Sequence, residues 1–256
     1  MTTARLIVSL ALCIVHNCAF ATLIVGSKLQ LHAATDKWGG AFPSETGSDI
    51  ASQADSLNPL AVAVAVIDST PDLFTRTSGS ANANWNSADN GNVSFREMGW
   101  ERQNAHSYTH YLAGDPYGTF AFPPKMWSYT LVPEIDSVFQ LAWDISATQD
   151  STHEVSGPFS LSFAYGGSGF EEHRIDLYST GQLTQDLLAG VEYTVFLGHH
   201  LQVTGGGQAQ HRIARFNADF IWKISTIPLP GTAVSVMLAL LCFRLARSRG
   251  PLLPGT

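Results

Sequence analysis

The chain has 256 residues, with 21 acidic and 14 basic side chains, a formal net charge of −7 and three cysteines. Without Arg5 and the three arginines after residue 243, 10 bases face 21 acids, so the segment between the termini carries −11. This charge repels nucleic acid and anionic lipid at long range, and neither is an expected partner of that segment. The cysteines stand at positions 13, 18 and 242, which excludes a disulfide framework within residues 22–225.

The N-terminus has the three parts of a secretory signal peptide. Arg5 supplies a positive charge, residues 6–15 are apolar, and Ala19-Phe20-Ala21 has the small-x-small pattern of a cleavage site. Residues 1–21 are therefore predicted to be a signal helix that is cleaved after Ala21, which leaves Thr22 first. The alternative is a retained membrane helix, but ten apolar residues fall short of the roughly 20 that span a bilayer.

The segment that follows has weak strand signals. Residues 39–58 are rich in Gly, Ser, Pro and Asp, and we predict that they are flexible. Asp89-Asn90-Gly91-Asn92 is predicted to be a hairpin turn, because Asn-Gly readily supplies positive φ. Two weaker strands near an edge or solvent are predicted from alternating positions, namely Val62, Val64 and Val66, and Ala81, Ala83 and Trp85.

Stronger period-two alternation recurs in four later segments. Each has a single apolar face, which is typical of antiparallel strands that cover one core. Glycine runs at residues 166–169 and 205–207 are predicted to close two further strands. The apolar positions are Phe139, Leu141, Trp143 and Ile145; Phe159, Leu161, Phe163 and Tyr165; Val191, Tyr193, Val195 and Leu197; and Ala214, Phe216, Ala218, Phe220, Trp222 and Ile224.

A local pattern at residues 187–193 narrows the fold class. A turn at Ala189-Gly190 precedes a strand that carries Tyr193, the spacing of the tyrosine corner of Greek-key sandwiches. The alternative is an ordinary turn before an ordinary strand tyrosine. We predict an all-β fold, an antiparallel two-sheet sandwich with jelly-roll or Greek-key connectivity over residues 22–225.

Catalytic and metal-binding motifs are weak in this domain. His106 and His110 have the spacing of a zinc pair but lack the glutamate of a metalloprotease helix, and His199-His200 falls at a strand end. Ser168 does not stand in the G-x-S-x-G register of a nucleophile elbow. We predict no catalytic residue, metal or cofactor, although two carboxylates in a cleft would make a glycoside hydrolase.

Tryptophans offer a second functional alternative, a secreted carbohydrate-binding module. Trp85, Trp100 and Trp127, with Tyr129, are candidates for stacking on sugar rings provided that they face outward. An extracellular polysaccharide would then be the ligand. The competing interpretation is that these side chains pack in the core, as is predicted for Trp143 and Trp222 on their clean apolar faces.

The C-terminal tail, residues 226–256, has three distinct parts. Pro228-Leu229-Pro230 cannot continue a strand ladder, because proline has no N–H to donate. Residues 231–243 form an apolar run that a helix would extend over about 20 Å, short of a hydrocarbon core near 30 Å. Basic side chains follow at Arg244, Arg247 and Arg249, which would hold the end of a short transmembrane helix in the cytoplasm.

This tail resembles the PEP-CTERM sorting signal of exosortase substrates. Ile227-Pro228-Leu229-Pro230 is similar to the V-P-L-P variant of the family's Pro-x-Pro motif, and it is followed by a short apolar helix and a basic cluster. The resemblance covers about a tenth of the chain. It implies recognition by a membrane-embedded exosortase-like enzyme, which is thought to cleave near the motif and pass the protein to the surface or matrix.

Two other interpretations of the tail stay open. Leu229-Pro230-Gly231-Thr232-Ala233 approaches the L-P-x-T-G signal of sortase substrates, with Ala233 in place of the final glycine. The tail is also compatible with a plain C-terminal anchor that is never processed. We expect an exported, non-catalytic protein that crosses the inner membrane, is held by its C-terminal helix, and then reaches the surface or extracellular matrix.

Overall fold

The computed structural model describes residues 22–36, 45–54, 56–70, 73–103, 107–114, 125–148, 155, 157–206 and 211–227. The predicted signal peptide with Ala19 and Ala21, His106, the proline motif, the apolar run and the three tail arginines lie outside these residues. The chain divides into two units between Ser225 and Thr226. In the described part of the chain, no helix is long and apolar enough to cross a membrane.

Fourteen strands lie within the described residues. The first seven are β1 (Leu23–Asp36), β2 (Glu45–Gln53), β3 (Leu60–Thr70), β4 (Leu73–Ser87), β5 (Asn90–Gln103), β6 (Ser107–Ala113) and β7 (Trp127–Val132). The others are β8 (Ser137–Ala147), β9 (Phe159–Tyr165), β10 (Gly169–Ile175), β11 (Thr180–Leu187), β12 (Tyr193–His199), β13 (Leu201–Gly206) and β14 (Arg212–Thr226).

The strands form two antiparallel sheets that pack face to face. The larger sheet has the order β10-β9-β12-β7-β1-β6-β13, with β2 also paired to β1, and the smaller has the order β11-β8-β14-β5-β4-β3. Rings from the two sheets meet between them; Phe95 of β5 and Phe159 of β9 have centroids 5.5 Å apart. The prediction of an all-β sandwich of two antiparallel sheets is confirmed.

Alternating side chains produce the core in the register that the sequence predicts. Phe139, Leu141 and Ile145 of β8 are buried, whereas Gln140 and Asp144 between them are exposed. On β14 every second side chain from Ala214 to Ile224 is buried. Trp222 is 1% exposed and Trp143 is half-buried, so the predicted core position is confirmed for Trp222 and holds in part for Trp143.

In the larger sheet, two pairs of short strands each occupy the place of one long strand. β7 pairs with residues 23–29 of β1, and β6 pairs with residues 32–36 of the same strand. β2 pairs with residues 27–35 and therefore overlaps both of these stretches. It must lie on the other edge of β1, while β7 and β6 follow one another along the first edge. β12 and β13 repeat this arrangement, since β12 pairs with β7 and β13 pairs with β6.

One strand lies in a segment that we predicted to be flexible. Within residues 39–58, β2 pairs with β1 over nine residues, which corrects that prediction for Glu45–Gln53. The strand brings Gly47 against β3, where a Cβ would lie 2.9 Å from Cγ2 of Val66. Small and polar residues are accepted here because β2 lies at a sheet edge, with much of its length in solvent.

The hairpin predicted at residues 89–92 exists, but its turn is displaced. The turn residues are Ala88 and Asp89, while Asn90 and Gly91 already pair with Ser87 and Trp85. Asn90-Gly91 does not supply positive φ, so that part of the prediction is wrong. Gly91 is needed for space instead, because a Cβ there would lie 2.4 Å from the Asn84 carbonyl oxygen.

The tyrosine corner is confirmed. The backbone N–H of Leu188 donates to the hydroxyl oxygen of Tyr193 at 2.9 Å, across the turn that precedes β12. Gly190 takes φ of +71° in this turn, a conformation that glycine adopts without a Cβ clash. The turn is also tied to the β7–β8 connection, because the Gly190 N–H donates to the Pro133 carbonyl oxygen at 2.8 Å.

Candidate functional site

The tryptophans proposed for sugar stacking do not face solvent. Trp100 and Trp127 are 1% and 0% exposed, because each lies on the inward face of its strand. The Trp100 ring stacks on the His110 ring with centroids 5.1 Å apart, and the Trp127 ring stacks on the Tyr129 ring at 6.1 Å. Both are core residues, so their assignment as glycan-stacking candidates is corrected.

Trp85 and Tyr129 are removed from the glycan-stacking set for a related reason. Trp85 is half-buried against the main core, with its ring centroid 6.3 Å from that of Tyr129. Tyr129 is fully buried, and its hydroxyl donates to the Ala88 carbonyl oxygen at 2.8 Å. Burial, with a smaller effect from Asp89, raises the pKa of the Tyr129 hydroxyl well above its usual range. Tyr129 therefore anchors the β4–β5 turn to the core.

His110 lies inside the sandwich on β6. Its Nδ1 lies 3.2 Å from the Thr35 hydroxyl oxygen and 3.0 Å from that of Thr77. Burial, with a smaller effect from the positive charge of Arg102, lowers the pKa of His110 to about 3. A neutral ring between two hydroxyl groups and an indole is well suited to core packing. Among the described residues, no group of three His, Cys, Asp or Glu side chains could hold a metal ion.

His199 is a second neutral core histidine. Its Nδ1 lies 3.1 Å from the Pro158 carbonyl oxygen, so this nitrogen carries the proton. Burial lowers its pKa to about 4; the bond to Pro158 opposes that shift, and His200 adds to it slightly. The ring packs between Phe159 and Phe216, at 5.2 Å from each centroid. His199 therefore joins β12 to the opposite sheet.

The two buried histidines predict a loss of stability in acid. The unfolded chain protonates each near pH 6.5, whereas the folded chain protonates His110 only near 3 and His199 near 4. The unfolded chain thus binds more protons below pH 6.5, and the free energy of unfolding should fall there by up to about 1.4 kcal/mol per pH unit for each histidine. Urea unfolding between about pH 7.5 and about pH 5 measures this dependence.

A matched variant separates this effect from general acid denaturation. His199→Gln keeps an amide that can donate to the Pro158 carbonyl but cannot bind a proton in this range. We expect about half of the dependence below pH 6.5 to disappear. An unchanged slope in the variant would contradict the assignment of His199 as a proton-binding site that only unfolding exposes.

Two neighbouring carboxylates, Glu97 and Glu101, form an ion-pair network. Arg215 donates through Nη2 to Glu101 at 2.6 Å and through Nη1 to Glu97 at 3.4 Å, while Nε2 of His211 lies 2.9 Å from Glu101. Glu97 lies on a β-bulge with φ of 52°, and its N–H donates to the Asn217 side-chain oxygen at 2.9 Å. A glycosidase pair flanks a bound sugar, but here a guanidinium lies between the two carboxylates.

One open groove lies where two turns meet, and we call it the turn groove. Its volume is about 470 Å³. β9 and β12 are adjacent with Tyr165 opposite Tyr193, so the β9–β10 turn lies beside the tyrosine corner. Gly166 and Gly167 take φ of 56° and 77° in that turn. The groove is lined by Ala164, Tyr165, Gly166, Gly167, Gly169, Gly190, Val191, Glu192 and Thr194.

The turn groove is lined by a tyrosine, a glutamate, a threonine and four glycines at two turns. Tyr165 is half-buried and lies across from Gly169, whose missing Cβ leaves room for the ring. Glu192 and Thr194 bring hydrogen-bonding groups to the same space. Such a combination is typical of small polar ligand sites, sugars included, in which a few polar groups set orientation.

The second groove lies on the outer face of the smaller sheet, and we call it the amide groove. It has a volume of about 290 Å³. Ile221 of β14 is 64% exposed beside it. It is lined by Gln140, Leu141, Ala142, Gln182, Leu183, Thr184, Ile221, Trp222 and Lys223.

Sequence reasoning missed both grooves although it located their parts. The glycine turn at residues 166–169 and the tyrosine corner were each predicted, but only the pairing of β9 with β12 brings them together. The amide groove likewise needs the pairing of β8 with β11, which places Gln140 opposite Thr184. Comparisons with known proteins find no matching family model, no matching curated protein and no matching solved structure.

Proposed function

We propose that this chain is an exported, surface- or matrix-destined β-sandwich protein without a catalytic role, sorted through its PEP-CTERM-like tail. An exosortase-like enzyme is the proposed partner. The single observation that carries the proposal is the combination of a signal-peptide pattern at one end with the proline, apolar and arginine pattern at the other.

The position of the last strand supports this proposal. β14 ends at Thr226, two residues before Pro228, so the Pro-Leu-Pro motif begins immediately after the sheet. A sorting enzyme reads an extended segment more readily when that segment is free of a strand ladder. The two prolines supply stiffness without donating hydrogen bonds to the sheet.

The way the domain is stabilised also fits an exported protein. Residues 22–227 contain no cysteine, so stability cannot depend on the redox state of the compartment. The core is filled by large aromatic rings instead. The ring centroid of Trp222 lies 5.0 Å from that of Tyr129 and 6.4 Å from those of Trp127 and Phe139. A core of this kind needs no disulfide formation in the compartment where it folds.

A non-catalytic role is favoured by the state of the reactive side chains. His110 and His199 are buried and neutral, and Glu97 and Glu101 both bond to Arg215. General acid–base catalysis needs a proton carrier within reach of a bound substrate. These side chains serve the core and the sheet surface, which is the basis for preferring a structural or adhesive role over a hydrolase.

The finer architecture is also part of the proposal. We infer a Greek-key or jelly-roll connectivity, with a signal helix before the sandwich and a short transmembrane helix after it. The Tyr193 hydroxyl that accepts from Leu188 supports the Greek-key assignment, because this corner is typical of such sandwiches.

The sorting proposal is tested by changing both prolines of the motif. Pro228→Ala with Pro230→Ala should leave export and membrane insertion intact, because the signal peptide and the apolar run are unchanged. Processing alone should fail. In the native host the variant should accumulate at the inner membrane, heavier than the wild-type mature protein, with its domain outside.

A second variant separates recognition from retention. Replacing Arg244, Arg247 and Arg249 by glutamine removes the charges that keep the end of the tail cytoplasmic, so it should loosen retention itself. The two variants are expected to fail at different steps. If the double-proline variant has the same mass and fractionates like the wild type, the motif is not read and the tail is a plain anchor.

Carbohydrate binding is a second candidate function, and the turn groove is the observation that favours it. Glu192, Thr194 and the backbone of the two glycine turns offer polar groups to one ligand, which the buried tryptophans cannot do. A neutral sugar fits better than an acidic one, because Glu192 would repel a carboxylate. This function is compatible with a place in the extracellular matrix.

A glycan array tests the second candidate. The full chain should retain neutral glycans, and Glu192→Ala should reduce the signal at least tenfold by removing a carboxylate that would accept hydrogen bonds from sugar hydroxyl groups. Phe170→Ala is the control, because Phe170 is 47% exposed on β10 but does not line the turn groove. Equal binding by the two variants, or none by the wild type, would reject the turn groove as a sugar site.

A further inference from the structure

The terminal strands of the two sheets differ in how their edges are protected. Within the described residues the smaller sheet ends in β3 and β11, and the larger in β10 and β13, with β2 on the far side of β1. An exposed edge presents unpaired N–H and C=O groups that another chain can pair with. Natural sheets block this with charges, prolines, bulges, short strands or a covering segment.

Two of these edges are blocked by charge. β10 carries Glu171, Glu172, His173 and Arg174 in succession, four side chains that disfavour a neighbouring strand. On β3 the backbone N–H of Ala63 donates to a side-chain oxygen of Asp49 at 2.9 Å. The carboxylate occupies a donor that an incoming strand would need.

Two more edges are short or carry acidic side chains. β13 has only six residues and ends in Gly205-Gly206, which leaves few side chains to stabilise an added strand. β2 pairs with β1 over nine residues without a register shift, but Glu45 and Asp49 along it disfavour an added strand, and Gly47 contributes no side chain.

Among the described residues, none of these protections is found at β11. Its eight residues, Thr-Gly-Gln-Leu-Thr-Gln-Asp-Leu, contain no lysine, arginine or proline, and Asp186 is the single charge. The pairing of β11 with β8 runs from Thr180 to Leu187 without a register shift, so no bulge turns the edge away. Thr180, Gln182, Thr184 and Asp186 are exposed along it.

We propose that β11 pairs antiparallel with β11 of a second copy of this chain, which joins the two smaller sheets across a two-fold axis. A pairing centred on Leu183 keeps every side chain on its own face, since opposite residues of an antiparallel pair share a face. Leu183 then meets Leu183 of the second copy, Gln182 meets Thr184, and Thr180 meets Asp186. This inference goes beyond the proposed function and does not depend on the tail.

The composition of the edge favours a second copy as the occupant. On the inner face, Leu183 and Trp143 are half-buried at the margin of the core, and an added strand would cover them. On the outer face the paired groups are amides, hydroxyls and one carboxylate opposite a hydroxyl, so no like charges meet. An isologous contact of this kind closes at two chains rather than growing into a filament.

Disulfide cross-linking tests the pairing and its register. In a background with serine at positions 13, 18 and 242, chains carrying Thr180→Cys and chains carrying Asp186→Cys are mixed and oxidised. The mixture should form disulfide-linked dimers, because opposite Cβ atoms lie about 4.5–5.5 Å apart. Either variant alone should form no cross-link, because the same cysteine in the two copies would lie about 20 Å apart.

Sedimentation of the full chain in detergent provides the second measurement. The wild type should sediment with twice the mass of one chain, and Gln182→Lys with Thr184→Lys should raise the dimer dissociation constant at least tenfold, because each pair then opposes two ammonium groups. Gln140→Lys with Ala142→Lys is the control; it adds the same charge one strand inward and should stay dimeric. A monomeric wild type, an equal response of both variants, or cross-linking of either cysteine variant alone would overturn the proposal.

Discussion

Leu141→Asp is expected to unfold the domain. Leu141 is 1% exposed in the middle of β8, between Phe139 and Ile145 in the main core. A carboxylate there would lose its hydration without gaining a partner, and it would also leave the space of the leucine side chain unfilled. We expect a loss of at least about 4 kcal/mol in the free energy of unfolding, of the order of the whole stability of many domains.

Gln140→Asp is the matched control for this prediction. It introduces the same side chain one residue away, on the exposed face of β8. The change should cost less than about 0.5 kcal/mol, because a solvated carboxylate needs no partner. Thermal unfolding followed by circular dichroism compares the two. Equal melting temperatures would contradict the register of β8 and, with it, the assignment of the core face.

Gly99→Ala is expected to be the most damaging of the conservative glycine substitutions. Gly99 lies on β5 opposite Arg215, in the interior of the smaller sheet. A Cβ on Gly99 would lie 2.0 Å from the Ala214 carbonyl oxygen and 2.9 Å from the Arg215 Cα. Because these atoms belong to the neighbouring backbone, β14 itself would have to move. We expect a loss of about 3 kcal/mol or more.

Gly167→Ala is the control, because it introduces conformational strain without a backbone collision. Gly167 has φ of +77° in the β9–β10 turn, and nothing lies within 4 Å of a Cβ built on it. Its substitution should cost about 1 kcal/mol, the penalty of a left-handed conformation without a collision. Urea unfolding of both variants measures the difference. A Gly99→Ala variant as stable as Gly167→Ala would contradict the close approach of β5 and β14.

The parts of the fold that could be predicted are those with a strong local signal. β14 alternates over six apolar positions, and a sheet that faces one core buries every second side chain, so its inward face followed directly. The tyrosine corner was also accessible, because it depends on six consecutive residues, Leu188 to Tyr193, and one hydroxyl. Local periodicity and turn chemistry account for these successes.

The parts that could not be predicted depend on pairing between distant segments. β2 has little alternation of its own and is a strand because β1 offers a free edge. The turn at Ala88-Asp89 is set by the register of β4 with β5, which moves Asn90-Gly91 into the ladder. Trp127 alternates with Tyr129 and Leu131, so its inward face could have been predicted, whereas the bulge at Glu97 interrupts the alternation that leads to Trp100.

The candidate sites show the same division. The sequence pointed to tryptophans as ligand-binding groups, yet the grooves form where Tyr165 lies opposite Tyr193 and where Gln140 lies opposite Thr184. The sequence identifies none of these four side chains as part of a ligand site. Their proximity arises from strand order, which no single segment encodes.

The central claim, export followed by sorting through the tail, is tested most directly by the ends of the mature protein. Intact-mass and terminal-peptide analysis of the chain recovered from the outside of native cells would define both ends. We expect the recovered protein to begin at Thr22 and to end close to Pro228-Leu229-Pro230. A chain that runs intact from Met1 to Thr256, or one found only inside the cell, would contradict the claim.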